Sequence, residues 1–146
     1  MITCILKQIL DELPPQKPKV SLAAHAEAAG VDWQVFLRML HNRNSAATLE
    51  SVDKLRAYLA DKSDRIQPGE TRFHLAELMK EKGYTRDKLL EGIQKKNTYT
   101  ISRMVNNTLI RADFGVMEAL CEFMQLDSLD QLLDTGGLLV WSKSSD

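Results

Sequence analysis

Moved along by 65 residues, the chain lies over itself. Phe36, Arg38 and Met39 fall on Ile101, Arg103 and Met104, and Asn42 falls on Asn107. Leu49, Val52, Leu55, Tyr58 and Leu59 then fall on Phe114, Met117, Leu120, Phe123 and Met124. Apolar positions meet apolar positions, and one arginine and one asparagine recur unchanged. Upstream the register slips by one residue, because Gln94-Lys95-Lys96 is a longer turn than Ala29-Gly30-Val31. A period of this length is too long for a solenoid and fits two copies of a small domain.

Within each copy the period is helical. Ile2, Ile5, Leu6, Ile9, Leu10 and Leu13 step by three and four, which predicts one helix stopped by Pro14, Pro15 and Pro18. Further helices are predicted over 21–30, 32–41 and 49–60, with Ser21 and Asp32 as N-caps. A polar stretch ending in Pro68-Gly69 reads as a linker. The order then recurs, with helices over 71–82, 85–93, 97–105, 113–125 and 128–133. Thr71 and Thr85 are the expected caps there, and Gly83 the expected stop. No strand alternation of useful length is seen before the C-terminal tail.

The whole chain sets 19 Lys and Arg against 20 Asp and Glu, but the charges are segregated. Residues 1–64 balance eight against eight. Residues 65–111 hold ten positive and five negative groups, and residues 112–146 hold one and seven. A basic block followed by an acidic one points toward nucleic acid. The apolar runs Cys4-Ile5-Leu6 and Leu138-Leu139-Val140-Trp141 fall far short of the roughly 20 residues that cross a bilayer. No signal-peptide pattern is read at the start, so no membrane is expected. Cys4 and Cys121 read as free buried thiols of a reducing, cytoplasmic compartment.

Enzyme signatures are missing. The seven glycines form no phosphate loop, and there is no Gly-x-Ser-x-Gly elbow or Cys-x-x-Cys pair. His25-Ala26-Glu27 opens like a zinc-deaminase signature but lacks its cysteine pair. His25, His41 and His74 have no metal-ligand spacing. No catalytic residue, metal or cofactor is expected.

The second half runs Arg72-Phe-His-Leu-Ala-Glu-Leu-Met-Lys-Glu-Lys-Gly83, then Tyr84-Thr-Arg-Asp-Lys-Leu-Leu90, then Thr100-Ile-Ser-Arg-Met-Val-Asn106. It resembles the Cro/repressor-type (XRE-like) helix-turn-helix family. The first half resembles it more weakly, through Ala26-Glu-Ala-Ala-Gly-Val31 and Phe36-Leu-Arg-Met-Leu40. Two departures stand out. Lys95-Lys96 occupies a turn where the family favours glycine, and a long Pro-rich connection follows the first helix. The resemblance implies an all-α protein of two small lambda-repressor-like domains in tandem. A degenerate copy would span 1–62, a linker 63–70, the better copy 71–134 and a tail 135–146.

The resemblance also implies which residues would face DNA. Ile101 and Met104 would point inward, leaving Thr98, Tyr99, Ser102 and Arg103 outward on the recognition helix. Arginine can pair two donors with guanine, and hydroxyls serve bases or phosphates. Lys95, Lys96 and Asn97 flank the helix start, where cations and free N–H groups favour phosphate. Arg86, Lys88 and Arg111 would extend the footprint. Duplex DNA is thus the expected partner and transcription regulation the expected function. The acidic stretch (Asp113, Glu118, Glu122, Asp127, Asp130, Asp134) is expected to be a solvated face that repels phosphate.

The matching outward positions of the first copy are Trp33, Gln34, Leu37 and Arg38. Trp33 and Leu37 are poor readers of bases. Two placements stay open: an interface with the second copy, a second chain or another protein, or a shifted helix that puts Trp33 in its own core. The tail residues Leu138, Leu139 and Trp141 either dock or exchange between protomers, or pack across their own chain. The competing function is a protein-interaction module (adaptor, antitoxin-like or inhibitor) that kept the fold without DNA.

Overall fold

The computed structural model describes residues 1–15, 19–93 and 98–142. The first half comprises β1 (Ile2–Cys4), α1 (Leu6–Glu12), α2 (Leu22–Ala29), α3 (Trp33–Leu40), β2 (Ala46–Thr48) and α4 (Leu49–Ala60). The second comprises β3 (Arg72–Phe73), α5 (Leu75–Lys82), α6 (Arg86–Ile93), α7 (Thr98–Val105), β4 (Arg111–Asp113) and α8 (Phe114–Phe123). A 3₁₀ turn (Leu129–Gln131) then leads to β5 (Leu133–Asp134) and β6 (Leu139–Trp141).

The caps explain why the helices start where they do. The hydroxyl of Ser21 accepts from the Ala24 N–H at 3.1 Å, and the Asp32 carboxylate from Gln34 N–H at 3.0 Å. Thr48 accepts from Ser51 N–H, Thr85 from Lys88 N–H and Asp113 from Val116 N–H. Each satisfies a donor that the first turn leaves unpaired. Gly30 and Gly83 end α2 and α5 in the left-handed conformation, at φ +76° and +74°.

An all-α chain was the expectation, and the strands correct it. Among the described residues three antiparallel ribbons pair β1 with β6, β2 with β4 and β3 with β5. The predicted helix over Ile2–Leu13 begins only at Leu6, and Ile2 and Cys4 are buried on alternate positions of a strand instead. The Ile2-to-Ile5 spacing is helical, but Ile2 and Cys4 stand two apart as one strand face requires, and pairing with Trp141 and Leu139 decides for the strand. The predicted helix over 71–82 loses its first turn to β3, and the one over 128–133 is a single 3₁₀ turn.

The central ribbon is two-fold in its bonding. β2 meets β4 with Ala47 opposite Ala112, the residues that the shift of 65 makes equivalent. Leu49 N–H donates to Ile110 C=O at 2.9 Å, and the equivalent Phe114 N–H donates to Ser45 C=O at 2.9 Å. Asn42 and Asn107 both adopt positive φ, 55° and 56°. The amide of Asn42 accepts from Cys4 N–H at 2.6 Å and donates to Cys4 C=O at 3.2 Å. That of Asn107 accepts from Phe73 N–H at 2.7 Å and donates to Phe73 C=O at 2.9 Å. Each asparagine thereby pins the strand that opens its own half.

One apolar core runs through both halves, with Phe36, Met39, Leu55, Phe73, Leu89, Ile101, Met104 and Leu120 among its members. The C-terminal segment serves both opening strands, β3 through β5 and β1 through β6. Leu138, Leu139 and Trp141 are buried within their own chain. Arg56, only 2% exposed, ties the connection between the halves to that segment. Its guanidinium donates to the carbonyls of Gln67 (2.8 Å), Asp134 (3.2 Å) and Pro68 (3.3 Å) and pairs with the Asp134 carboxylate at 3.2 Å. Gly136 permits this approach. Its φ is +70°, and a Cβ there would lie 2.4 Å from Gln67 O and 2.5 Å from Arg56 Nε.

Candidate nucleic-acid interface

Helices α5, α6 and α7 hold the site. Tyr84 N–H bonds to Met79 C=O past Gly83, which turns the chain from α5 into α6. Helix α7 buries Ile101 and Met104, three residues apart, and packs on both α5 and α6. That fixes which residues face out. Thr98, Tyr99 and Arg103 are exposed and Ser102 is half-buried, as the helical period requires. Tyr99 is 68% exposed, an unusual state for a large aromatic ring without a partner to cover it. The Arg103 guanidinium lies over that ring, 4.8 Å from its centre. Stacking holds a planar cation in place while leaving its N–H edge free to donate. No carboxylate pairs with Arg103 among the described residues.

Arg86 and Lys88 are exposed on the first turn of α6. Lys95, Lys96 and Asn97 lie outside the described residues. Arg111 is exposed on β4, where it lines a groove with Arg38 and Arg43 of the first half. Neither Arg38 nor Arg43 was an expected DNA contact. The two arginines bracket the end of α3, in a half whose charges sum to zero.

Trp33 stays 41% exposed and stacks on Phe36, with ring centres 6.0 Å apart and planes 14° from parallel. Neighbouring Leu37 is half-buried and lines a shallow cleft with Gln34, Arg38, His41 and Arg43.

Most of the acidic stretch is exposed, as a solvated face requires, though several of its carboxylates also have partners. Asp113 caps α8, and Glu118 accepts from Ile2 N–H at 2.6 Å. Asp134 pairs with Arg56. Burial pushes the Asp130 carboxyl above its usual range. Asp113, Glu122, Asp127 and Asp130 are all exposed.

Residues 74–135, which span α5 through β5, match the family model of the Cro/C1-type HTH DNA-binding domain. That match supports DNA binding by this segment. No curated protein and no solved structure matches the chain. Among the described residues no group of histidine, cysteine, aspartate and glutamate could hold a metal ion. None of the helices there is long and apolar enough to cross a membrane.

Proposed function

We propose that the chain is a transcription regulator that binds duplex DNA through α7, laid into the major groove. Thr98, Tyr99, Ser102 and Arg103 face the bases and the adjoining backbone, with Arg103 as the main reader of guanine. Lys95, Lys96 and Asn97 contact phosphate at the start of the helix, and Arg86, Lys88 and Arg111 extend the footprint. The observation that carries this reading is the polar outer face of α7 inside a segment that matches a DNA-binding domain.

The first half is a second, degenerate copy of the same unit. The equivalent bonding of Asn42 and Asn107 and the Ala47–Ala112 centre of the ribbon support that division. Its third helix offers Trp33 and Leu37 where the second copy offers Thr98 and Ser102.

Selection from a pool of random duplexes tests the proposal. A short guanine-containing motif should emerge. Arg103→Ala should cost about 1–3 kcal/mol on that motif and relax its preference at one position. Absence of any duplex binding at low salt would refute the reading. A protein-interaction module would then be favoured by the exposed Trp33 ring. That alternative predicts partner binding or self-association lost on Trp33→Ala.

A further inference from the structure

We propose that the central ribbon carries a second DNA contact, a groove for backbone phosphates that both halves build. This rests on the DNA-binding reading above and extends it to the first half of the chain. The groove holds about 370 Å³ and is lined by Val35, Arg38, Arg43, residues 44–48 and Arg111. Three of those side chains are arginines and none is acidic.

The backbone explains the convergence. Asn42, in the left-handed conformation, reverses the chain after α3, and Arg43 N–H donates to Arg38 C=O at 2.9 Å. The turn sets Arg38 and Arg43 at one end of α3, beside β2. The ribbon then brings in the other half, since Thr48 pairs with Arg111. The one carboxylate in the ribbon, Asp113, accepts from Val116 N–H at 3.1 Å as the cap of α8. None of the three arginines has an ion pair among the described residues. Three guanidiniums so placed leave a concentrated positive field, and the ligand that matches it is an anion presenting several oxygens. The phosphodiester backbone of a duplex is such a ligand, and α7 lies in the same chain.

The two-fold relation also says why this half contacts phosphate rather than bases. Thr108 N–H donates to Arg103 C=O at 2.9 Å, the counterpart of the Arg43–Arg38 bond. The second half therefore has threonine where the first has Arg43, and the first has Trp33 and Leu37 where the second has Thr98 and Ser102. Arg38 stands where the second half has Arg103, so what sets the first half apart is Arg43 in place of a threonine, beside an outer helix face without hydroxyls.

The test measures binding of the full chain to a 30-base-pair random duplex across a salt series. Each phosphate neutralised contributes about 0.9 to the slope of log affinity against log salt. The double variant Arg38→Gln/Arg43→Gln should flatten that slope by about 1.8. It should leave the motif selected from a random pool unchanged, and Arg38→Lys/Arg43→Lys should restore the slope. Both double variants should melt with the wild type, since neither side chain makes a hydrogen bond among the described residues. An unchanged slope in the glutamine variant, with wild-type binding intact, would overturn the groove alone. A changed motif would make Arg38 or Arg43 a base reader and overturn the phosphate assignment. Wild-type protein that binds no duplex at low salt would overturn both this inference and the function it rests on.

Discussion

Asn42 and Asn107 give the sharpest test of the repeated architecture, because each does two things that a substitution can separate. Each tolerates positive φ, and each pairs through its amide with the N–H and C=O of a buried strand residue, Cys4 or Phe73. Asn→Gly keeps the conformation easy and removes the amide. Relief of the left-handed backbone favours glycine. The added freedom of the unfolded chain disfavours it by roughly 0.5–1 kcal/mol, so the two backbone effects nearly cancel. What remains is two hydrogen bonds at about 0.5–1.5 kcal/mol each, with a further penalty for any backbone group left dry. Both asparagines are themselves exposed, so water can reach part of the gap. We expect about 2 kcal/mol for Asn42→Gly and the same for Asn107→Gly. In a chain of 146 residues that is a fall in Tm of about 4–8 °C. Chemical denaturation with a common m-value is the assay, and Asn→Ala at either site should cost more because alanine resists positive φ. If one glycine variant were neutral while the other lost the full amount, the two turns would not be equivalent pins. The symmetry argument would then fail at its best-defined point.

Three further outcomes follow from local geometry. Gly92→Ala should destabilise the protein although alanine is the better helix former, because its Cβ would lie 2.2–2.5 Å from three ring carbons of Phe123. Overpacking of about 1–3 kcal/mol outweighs a propensity gain of roughly 1 kcal/mol; in a Phe123→Ala background the same change should become stabilising. Burial, aided by Lys62, holds the His25 imidazole below its ordinary pKa of 6.5. Below that pH the unfolded chain takes up a proton that the folded one resists. Stability should therefore fall as pH drops from above 6.5 toward the folded value, and His25→Gln should flatten a urea-midpoint series there. Burial also pushes the Cys4 and Cys121 thiols up to about 12, so neither should react with an aromatic disulfide at about pH 8 until the chain unfolds. A thiol titrating in the native protein at a free-thiol rate would contradict that.

Some of the fold was legible because its signals are local. Ser21, Asp32 and Thr85 each cap the helix that follows, and each is a residue type whose short side chain reaches a backbone N–H; Thr71 does not, because strand β3 follows it in place of a helix. Gly30 and Gly83 mark stops for an equally local reason. The strands were not legible, since segments of two or three residues show no alternation and their pairing depends on partners far along the chain. Ile2 illustrates this: its partner is Trp141. The repeat lay between these cases. An identical asparagine at the same offset was visible, while its task of holding an opening strand needed the fold. Tail burial was also a question of partners, and the polar face of α7 was legible because Ile101 and Met104 fix the opposite side.

The charge pattern was limited for a different reason. A sum over 64 residues treats charges as if they shared one place, whereas salt confines each field to about 10 Å at 0.1 M. In the first half several acids already face their own cations. Asp11 meets Lys7 at 3.3 Å, Glu50 meets Lys54 at 2.9 Å, and Glu12 meets Arg65 of the connection at 2.8 Å. Such exposed pairs add little stability, but they decide which charges a ligand feels. With those acids occupied, Arg38 and Arg43 stand beside Arg111 with no acid in their groove. In the acidic segment Glu118 and Asp134 are half-buried and held by a strand N–H and Arg56, whereas Asp113, Glu122, Asp127 and Asp130 stay exposed. A phosphate backbone approaching the ribbon therefore meets a cationic groove in the half whose sum is zero. The relevant unit of charge in this molecule is the surface that the two-fold ribbon assembles, and that surface combines residues 38, 43 and 111 from two segments that a sum along the chain keeps apart.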